Sequence, residues 1–547
     1  MNRHHETEER EGHALALLFV FASFLHFFGA RVADPDLWQH VRYGRLICVD
    51  GVFPRTDDVS YTAAGAPLLN HEWLAQCVLG RAWEAGGSSL LVAIKWLVGA
   101  VSVAALWDAS RTAARELLPG VRVSPITTAI GLVLSMAVMS PGTMFRPQLA
   151  TILLLAVQGA LLARADLRLR GPLAGAPRMG LELAVQPLLL LAWANAHGGF
   201  LVGLFQVGCW AAAVLLRMVA PEPTWSPRER PTRVESALAI ACVAACLAAT
   251  VVNPYGIGLH AFLLRTLGLH GEISEWEPVH LFSTHFLRFK VLAAASLAAI
   301  VALWRARRRT AGARAVVDWR TPLLVVAALA AMRHQRHTVL FAVLAAPLVV
   351  AAAEWGRVTA LRAGVVSPPR RRVLLALAAG LFAISLWQIG GWLRLFARDG
   401  LEIRYDRGDY PVDALSFLRH HGIAGNVAVP FEWGSYAIWN LPAGSKVFID
   451  GRFETVYPEE VIRDYFAFRA GEPGWERLLD AWPTDVVVVR RSTDVQARLF
   501  RRPDLEYVYS DPASLVFVRK SPAMAPFLER LRIGDRNVFP TPEANFP

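Results

Sequence analysis

The sequence predicts an α-helical polytopic membrane protein with about eleven transmembrane helices and a C-terminal extracytoplasmic α/β domain. Three observations carry that expectation. Of 547 residues, 54% are hydrophobic and only 18% are charged, whereas a soluble domain carries about 25% charged residues. Many stretches reach the roughly 17–25 apolar residues needed to cross the hydrocarbon core of a bilayer. Near residue 400 the apolar runs give way to turn signals, short β-rich runs and amphipathic helical stretches.

Residues 1–12 are polar and mixed in charge and lack the cleavage site of a removable signal peptide, so the first apolar run is expected to stay as a signal anchor. Apolar segments follow near 13–31, 88–107, 124–140, 148–163, 182–195, 199–217, 235–252, 289–304, 321–332, 338–354 and 373–395. Between them, arginine-rich loops at 111–122, 164–178, 217–233, 305–320 and 357–372 alternate with loops of a different kind. Positive charge gathers in cytoplasmic loops, so these are expected inside, with the N-terminus. The loops at 31–85, 140–147, 195–199, 253–289 and 333–337 then face outward, as does everything after residue 394. The expected domains are a cytoplasmic N-terminus (1–12), a transmembrane domain (13–399) with a long first outward loop (31–85), and an extracytoplasmic α/β domain (400–547). The net charge of +11 is thereby assigned to topology, and nucleic acid is not expected as a partner.

The tail has β-rich runs at 426–429, 446–449, 485–489 and 514–518 with helical stretches between them, the pattern of a small α/β domain. Cys209, Cys242 and Cys246 lie in apolar runs and read as small core residues. Cys48 and Cys77 fall in the outward loop, where a bridge is chemically allowed and their spacing does not demand one.

Polar residues at or just outside membrane depth are costly to place and usually functional. They collect here on the outward side. Asp34 and Asp36 leave the first span as two carboxylates followed by aromatic residues, a pattern suited to acid/base work or to a divalent cation such as Mg or Mn. The plain alternative is an interfacial helix cap. His71 and Glu72 close the same loop and can ligate metal, meet a substrate or start a helix. Arg146 stands where a helix begins and opposes its dipole, which favours contact with an anion. His197 sits in a tight glycine turn with Asn195. Glu275 and Glu277 flank Trp276 in the second long outward loop. Arg333, His334, Arg336 and His337 form a dense cationic turn on the side where cations are disfavoured, and fixed charge there suits a phosphate leaving group. In the tail, Asp450, Gly451 and Arg452 follow an apolar strand, where an Asp–Arg pair holds a loop or contributes to an acceptor site.

The Asp-x-Asp at the exit of the first span, the long first outward loop, the multiple spans and the outward C-terminal domain resemble the GT-C glycosyltransferase superfamily. That group includes the oligosaccharyltransferase catalytic subunit, the protein O-mannosyltransferases and the lipid A aminoarabinose transferase. The stretches at 34–40, 70–73, 253–256, 275–278 and 448–452 resemble bacterial membrane proteins placed near these enzymes. The resemblance implies a GT-C-like fold in the bacterial inner membrane and an inverting transfer of sugar from a polyprenyl-phosphate donor to a lipid, glycan or protein acceptor. A first-loop acid would position or deprotonate the acceptor, or ligate a metal. Carried onto this chain, Asp34 and Asp36 are the candidates, with Asp36 preferred because aromatic residues follow it. No second acid is matched by motif, and Glu275 and Glu277 are its candidates by position alone.

Two rival classes make different demands. A transporter or flippase-like protein would carry ionisable residues mid-span, discontinuous helices and an internal repeat. The spans here read as almost purely Ala, Leu and Val, with polar groups at one end. A non-catalytic scaffold would leave the Asp34/Asp36 and Arg333/Arg336 clusters unexplained.

Overall fold

The computed structural model describes residues 2–118, 122–169, 180–219, 230–266, 274–311, 318–363, 371–533 and 545–546. Parts of all five arginine-rich loops, at 119–121, 170–179, 220–229, 312–317 and 364–370, lie outside the described residues. The chain forms two compact units. One comprises Met1–Ala30 and Ala93–Gly400, the other Arg31–Val92 and Leu401–Pro547.

The first unit is helical. All of the expected apolar segments are helices, and nine helices among the described residues are long and apolar enough to cross a membrane. The expected spans at 182–195 and 321–332 are the short ones: they fall in Gly180–Ala196 and in the 14-residue helix Arg320–Arg333. Helix starts follow local chemistry. Ser124 accepts from the Thr127 N–H with Pro125 at the first helical position, and Thr232 forms a reciprocal capping box with Glu235. Lipid tails are as apolar as leucine, so close packing holds such helices together, and small residues permit it. A Cβ on Gly131 would lie 2.6 Å from Val350, and one on Gly99 would lie 2.6 Å from Phe28.

Polar groups are not confined to one end of the helices, contrary to the sequence reading. Asp166 pairs with Arg217 and Glu116 with Arg320, all four buried, and Glu354 pairs with Arg357. These pairs lie at the helix ends that run into the arginine-rich loops. Buried charge is tolerated there because each carboxylate meets a guanidinium, a feature hidden from a reading that counts residues loop by loop.

The second unit joins the first loop to the tail. Its five-stranded sheet has the order β2-β1-β3-β5-β4, with β1 Asn426–Ala428, β2 Lys446–Val447, β3 Val486–Arg490, β4 Leu505–Ser510 and β5 Ser514–Arg519. β1 runs parallel to β2 and β3, and β5 runs antiparallel to β3 and β4. The central β3 is a nearly continuous buried valine run, which explains its legibility. β4 was not expected: its alternating, half-exposed edge pattern carries little apolar signal. First-loop residues extend the sheet beside β2, where Val447 N–H donates to Val59 O (3.0 Å) and Tyr61 N–H to Val447 O (3.1 Å). Ala33 N–H donates to Arg404 O (2.8 Å), and Arg404 N–H to Arg31 O (2.9 Å).

Two helices complete this unit's first-loop part. Leu37–Cys48 follows Asp36, and the 45-residue helix Trp73–Leu117 breaks at Gly86 and Gly87, where Gly87 takes φ 55°. Cys48 and Cys77 form a disulfide between them. Gly44 and Gly80 let the helices meet backbone to backbone: a Cβ on Gly44 would lie 1.8 Å from Gln76 O.

Candidate functional site

The two first-loop acids differ in burial and in hydrogen bonding. Asp34 is buried at 2% exposure and its Oδ1 accepts the Asp36 N–H at 3.0 Å, so it shapes the turn that starts helix Leu37–Cys48. Asp36 occupies the cap position in αR geometry (φ −89°, ψ −7°), and its side chain makes no cap hydrogen bond. Its carboxylate is partly exposed and lies against Gly451: a Cβ there would sit 2.0 Å from Asp36 Oδ1. The side-chain hydrogen bond in this turn is accepted by Asp34, and Asp36 makes no cap hydrogen bond of its own.

Beneath Gly451 lies a buried ionic network. Asp450 is 0% exposed and Arg452 7%. Arg452 donates through Nε to Asp450 Oδ1 (2.8 Å) and through a terminal nitrogen to Oδ2 (2.6 Å). Its other terminal nitrogen donates to the Tyr43 hydroxyl (2.9 Å) and pairs with Asp57 of the first loop. The Tyr457 hydroxyl donates to Asp450 Oδ2 (2.8 Å). Burial pushes the Asp450 carboxyl up, but Arg452 and Tyr457 hold it below the usual carboxylate value. Burial likewise pushes the Tyr43 hydroxyl up, to about 12. The Asp450–Arg452 pair therefore holds a loop, and Asp57 extends that grip to the first loop.

His71 and Glu72 precede Trp73 at a helix start. Glu72 lies between two imidazoles, 3.9 Å from His71 Nε2 and 4.0 Å from His40 Nδ1. Asn70 donates to Gln76 Oε1 (2.7 Å), and the Gln76 amide meets His40 Nδ1 (3.3 Å). Gln39, on the same helix, accepts from Ser435 Oγ (2.9 Å). Sequence reasoning passed over Gln39, Tyr43, Asp57 and Ser435. Asp36, Gln39 and Tyr43 recur at helical spacing, the signal that places them on one face.

In the helical unit, three segments far apart in sequence come together. Arg146 donates to Glu275 Oε1 at 2.7 Å. The Arg336 guanidinium lies 4.6 Å from the Trp276 ring centroid, and the His334 ring packs edge-on against the same indole (5.4 Å). His334 Nδ1 meets Trp276 O (2.7 Å), and Gln335 N–H donates to Glu277 O (3.0 Å). Arg333 is exposed, His334 is buried, and the His337 ring sits 5.9 Å from that of His334. Burial pushes the Glu275 carboxyl up, yet Arg146 and Arg336 hold it below its usual value. Arg146 thus carries a carboxylate of its own chain, which lowers the positive charge of the cluster. Lys95, absent from the sequence reading, is 1% exposed. It donates to Ala30 O and lies 4.6 Å from the Phe145 ring centroid.

His197 has a well-defined structural task. Its Nδ1 accepts the Gly199 N–H (3.0 Å) and meets Thr151 Oγ1 (2.8 Å), which accepts from Trp193 Nε1 (2.8 Å). A Cβ on Gly199 would lie 2.4 Å from Thr151 Oγ1, so only glycine fits the turn. Asn195 donates to Leu191 O and Val252 O, both at 2.9 Å.

Among the described residues, no three or more His, Cys, Asp or Glu side chains gather as metal ligands would.

No family model and no curated protein matches the chain. Solved structures do. The oligosaccharyltransferase of Archaeoglobus fulgidus in its apo form is similar over 87% of this chain and 69% of that chain, at 12% identity and a TM-score of 0.53. The archaeal oligosaccharyltransferase AglB of the same organism, in complex with an inhibitory peptide and a dolichol-phosphate, gives 87%, 69%, 12% and 0.53. ArnT from Cupriavidus metallidurans bound to undecaprenyl phosphate aligns over 93% of this chain and 97% of that chain, at 14% identity and a TM-score of 0.47. At 12% identity the likeness to the archaeal enzyme is one of fold.

Proposed function

We propose that this chain, which folds as a GT-C-like polytopic membrane protein, is an inverting membrane glycosyltransferase. It moves a sugar from a polyprenyl-phosphate donor to a lipid, glycan or protein acceptor on the extracytoplasmic face. The observation that carries this reading is the Asp36 carboxylate: partly exposed, not used as a cap, and backed by a buried, ion-paired turn. In the proposed step Asp36 takes the proton of the acceptor nucleophile as it attacks the anomeric carbon. The glycosidic C–O bond breaks, its electron pair leaves with the donor phosphate, and attack from the opposite face inverts the centre. No step is routed through a metal. The donor class follows the dolichol-phosphate complex of the archaeal enzyme of the same fold.

The 333–337 turn is assigned the donor's phosphate, with Arg336 and Arg333 as its cations and His334 and His337 beside them. A charge-assisted hydrogen bond to phosphate contributes roughly 1.5–3 kcal/mol. Arg336→Ala should therefore weaken binding of undecaprenyl phosphate by about tenfold or more. Arg336→Lys should recover only part, because an ammonium keeps the charge and loses the fork. Wild-type binding by both the Arg333 and Arg336 alanine variants would reduce this turn to an interface anchor.

The outward sidedness of the first loop and the tail is supported by the Cys48–Cys77 disulfide, since such bonds persist in oxidising compartments. Within the 57–66 and 440–445 loops, single cysteines at the exposed positions Ala64 and Ala443 should react with an impermeant maleimide in whole cells, and those within 308–312 should not. Labelling of 308–312 from outside overturns the orientation.

A further inference from the structure

We infer that the Asp450-Gly451-Arg452 turn is a positioning platform for the Asp36 carboxylate, and that Gly451 is its working point. The inference rests on the acid/base reading of Asp36 and adds a residue that acts through it.

Gly451 is not one of the glycines with positive φ, so its backbone would accept alanine. What calls for glycine is space. A Cβ would lie 2.0 Å from Asp36 Oδ1 and 3.0 Å from Asp36 Cγ, so the carboxylate occupies the volume that a side chain would take. No normal Cβ contact is that short, and one partner must move.

The turn is poorly able to move. Arg452 N–H and Nε both donate to Asp450 Oδ1 (2.9 and 2.8 Å), and Tyr457 secures the other oxygen. Helix Phe431–Asn440 presses its backbone onto the turn at Gly434, where a Cβ would lie 2.6 Å from Asp450 Cα. The helix that carries Asp36 is tied to the same body twice, through Arg452 to Tyr43 (2.9 Å) and through Ser435 to Gln39 (2.9 Å). The Asp36 carboxylate, at the end of a rotatable side chain, is the part that yields. Gly451→Ala should therefore swing that carboxylate aside at little cost to folding. A misplacement of about 1 Å in a reacting group can cost on the order of a hundredfold in rate.

The test uses the full chain in phosphatidylethanolamine and phosphatidylglycerol vesicles. It measures release of radiolabelled sugar from a panel of undecaprenyl-phosphate-linked hexoses and pentoses. Wild type, Gly451→Ala, Asp36→Asn and the double variant are compared for kcat, donor KM and melting. Gly451→Ala should lower kcat roughly tenfold to a hundredfold, with donor KM and melting near wild type, and should add nothing in the Asp36→Asn background. Equal losses in both backgrounds, or a melting loss that accounts for the rate, would make Gly451 merely structural and overturn the inference. Wild-type kcat in Gly451→Ala beside a dead Asp36→Asn overturns it too, while leaving the acid/base reading intact. Full turnover in Asp36→Asn is the distinct failure of that reading, and the inference falls with it. An independent arm is the experimental structure of Gly451→Ala: a rotated Asp36 above an unmoved turn supports the inference, and an unmoved Asp36 sinks it. Should that variant fail to fold, Tyr457→Phe loosens the turn by one hydrogen bond and keeps the glycine. A kcat loss at constant KM supports the platform, and no loss counts against it.

Discussion

Asp36→Asn is expected to abolish sugar transfer, lowering kcat by about a hundredfold to ten-thousandfold, the range for a positioned general base. Expression, melting and binding of undecaprenyl phosphate should stay at wild-type values. The substitution keeps the shape of the side chain and removes only its charge and basicity. Asp36 makes no cap hydrogen bond, and asparagine keeps a side-chain oxygen that can go on accepting from its neighbours. Asp34 is the internal control. Its task is to accept the Asp36 N–H, which an asparagine oxygen can also do, so Asp34→Asn should cost much less turnover. Full activity in both asparagine variants would rule out the proposed chemistry, and equal losses in both would undo the division of roles.

Arg452→Ala should destabilise the unit built from Arg31–Val92 and Leu401–Pro547 by about 3–5 kcal/mol, the usual cost of removing one partner of a buried ion pair. Asp450 and Asp57 are 0% and 3% exposed, and both lose their guanidinium. The pH dependence has a definite sign. In the native chain the Asp450 carboxyl is held below its usual value, so its contribution is present above the unfolded value of about 3.9 and is lost as pH falls through the depressed one. In the variant, burial is opposed only by the Tyr457 hydroxyl and the N–H of residue 452, so that carboxyl is expected to rise. The gap between variant and native stability should thus be widest near neutral pH and narrow as pH falls through the variant's raised value, above about 4, and on through the depressed native one. Hydrogen exchange at β1 and β3, followed at pH 7.5 and pH 4, reads this directly. Adding Asp57→Asn and Asp450→Asn to an Arg452→Met variant should recover part of the loss, since the stranded charges are then gone. Unchanged exchange protection in Arg452→Ala would show that the network is dispensable.

The apolar segments and their order, the arginine alternation, four of the five strands and the acidic exit of the first span were all legible in the chain. Each is a local signal: a run long enough to cross lipid, a valine run such as 486–489, or two carboxylates beside aromatic residues. The segment carrying Glu275 and the turn carrying Arg336 were also visible as charged stretches between apolar runs, because charge shows without folding.

Tertiary structure decided what those residues touch. Which of two neighbouring aspartates shapes a turn depends on where a single N–H points, and an Asp-x-Asp reads the same either way. Arg146 looked like an anion's partner until Glu275, brought from a distant loop, supplied the anion. The first loop belongs with the tail because Val59, Tyr61 and Asp57 pair with Val447 and Arg452. Gly451 needs no special backbone, so composition gives no hint that it is glycine for the sake of Asp36. Periodicity and charge are properties of a segment and survive in one dimension. Hydrogen bonds, ion pairs and close approaches join residues hundreds of positions apart, and only the folded chain brings them within reach.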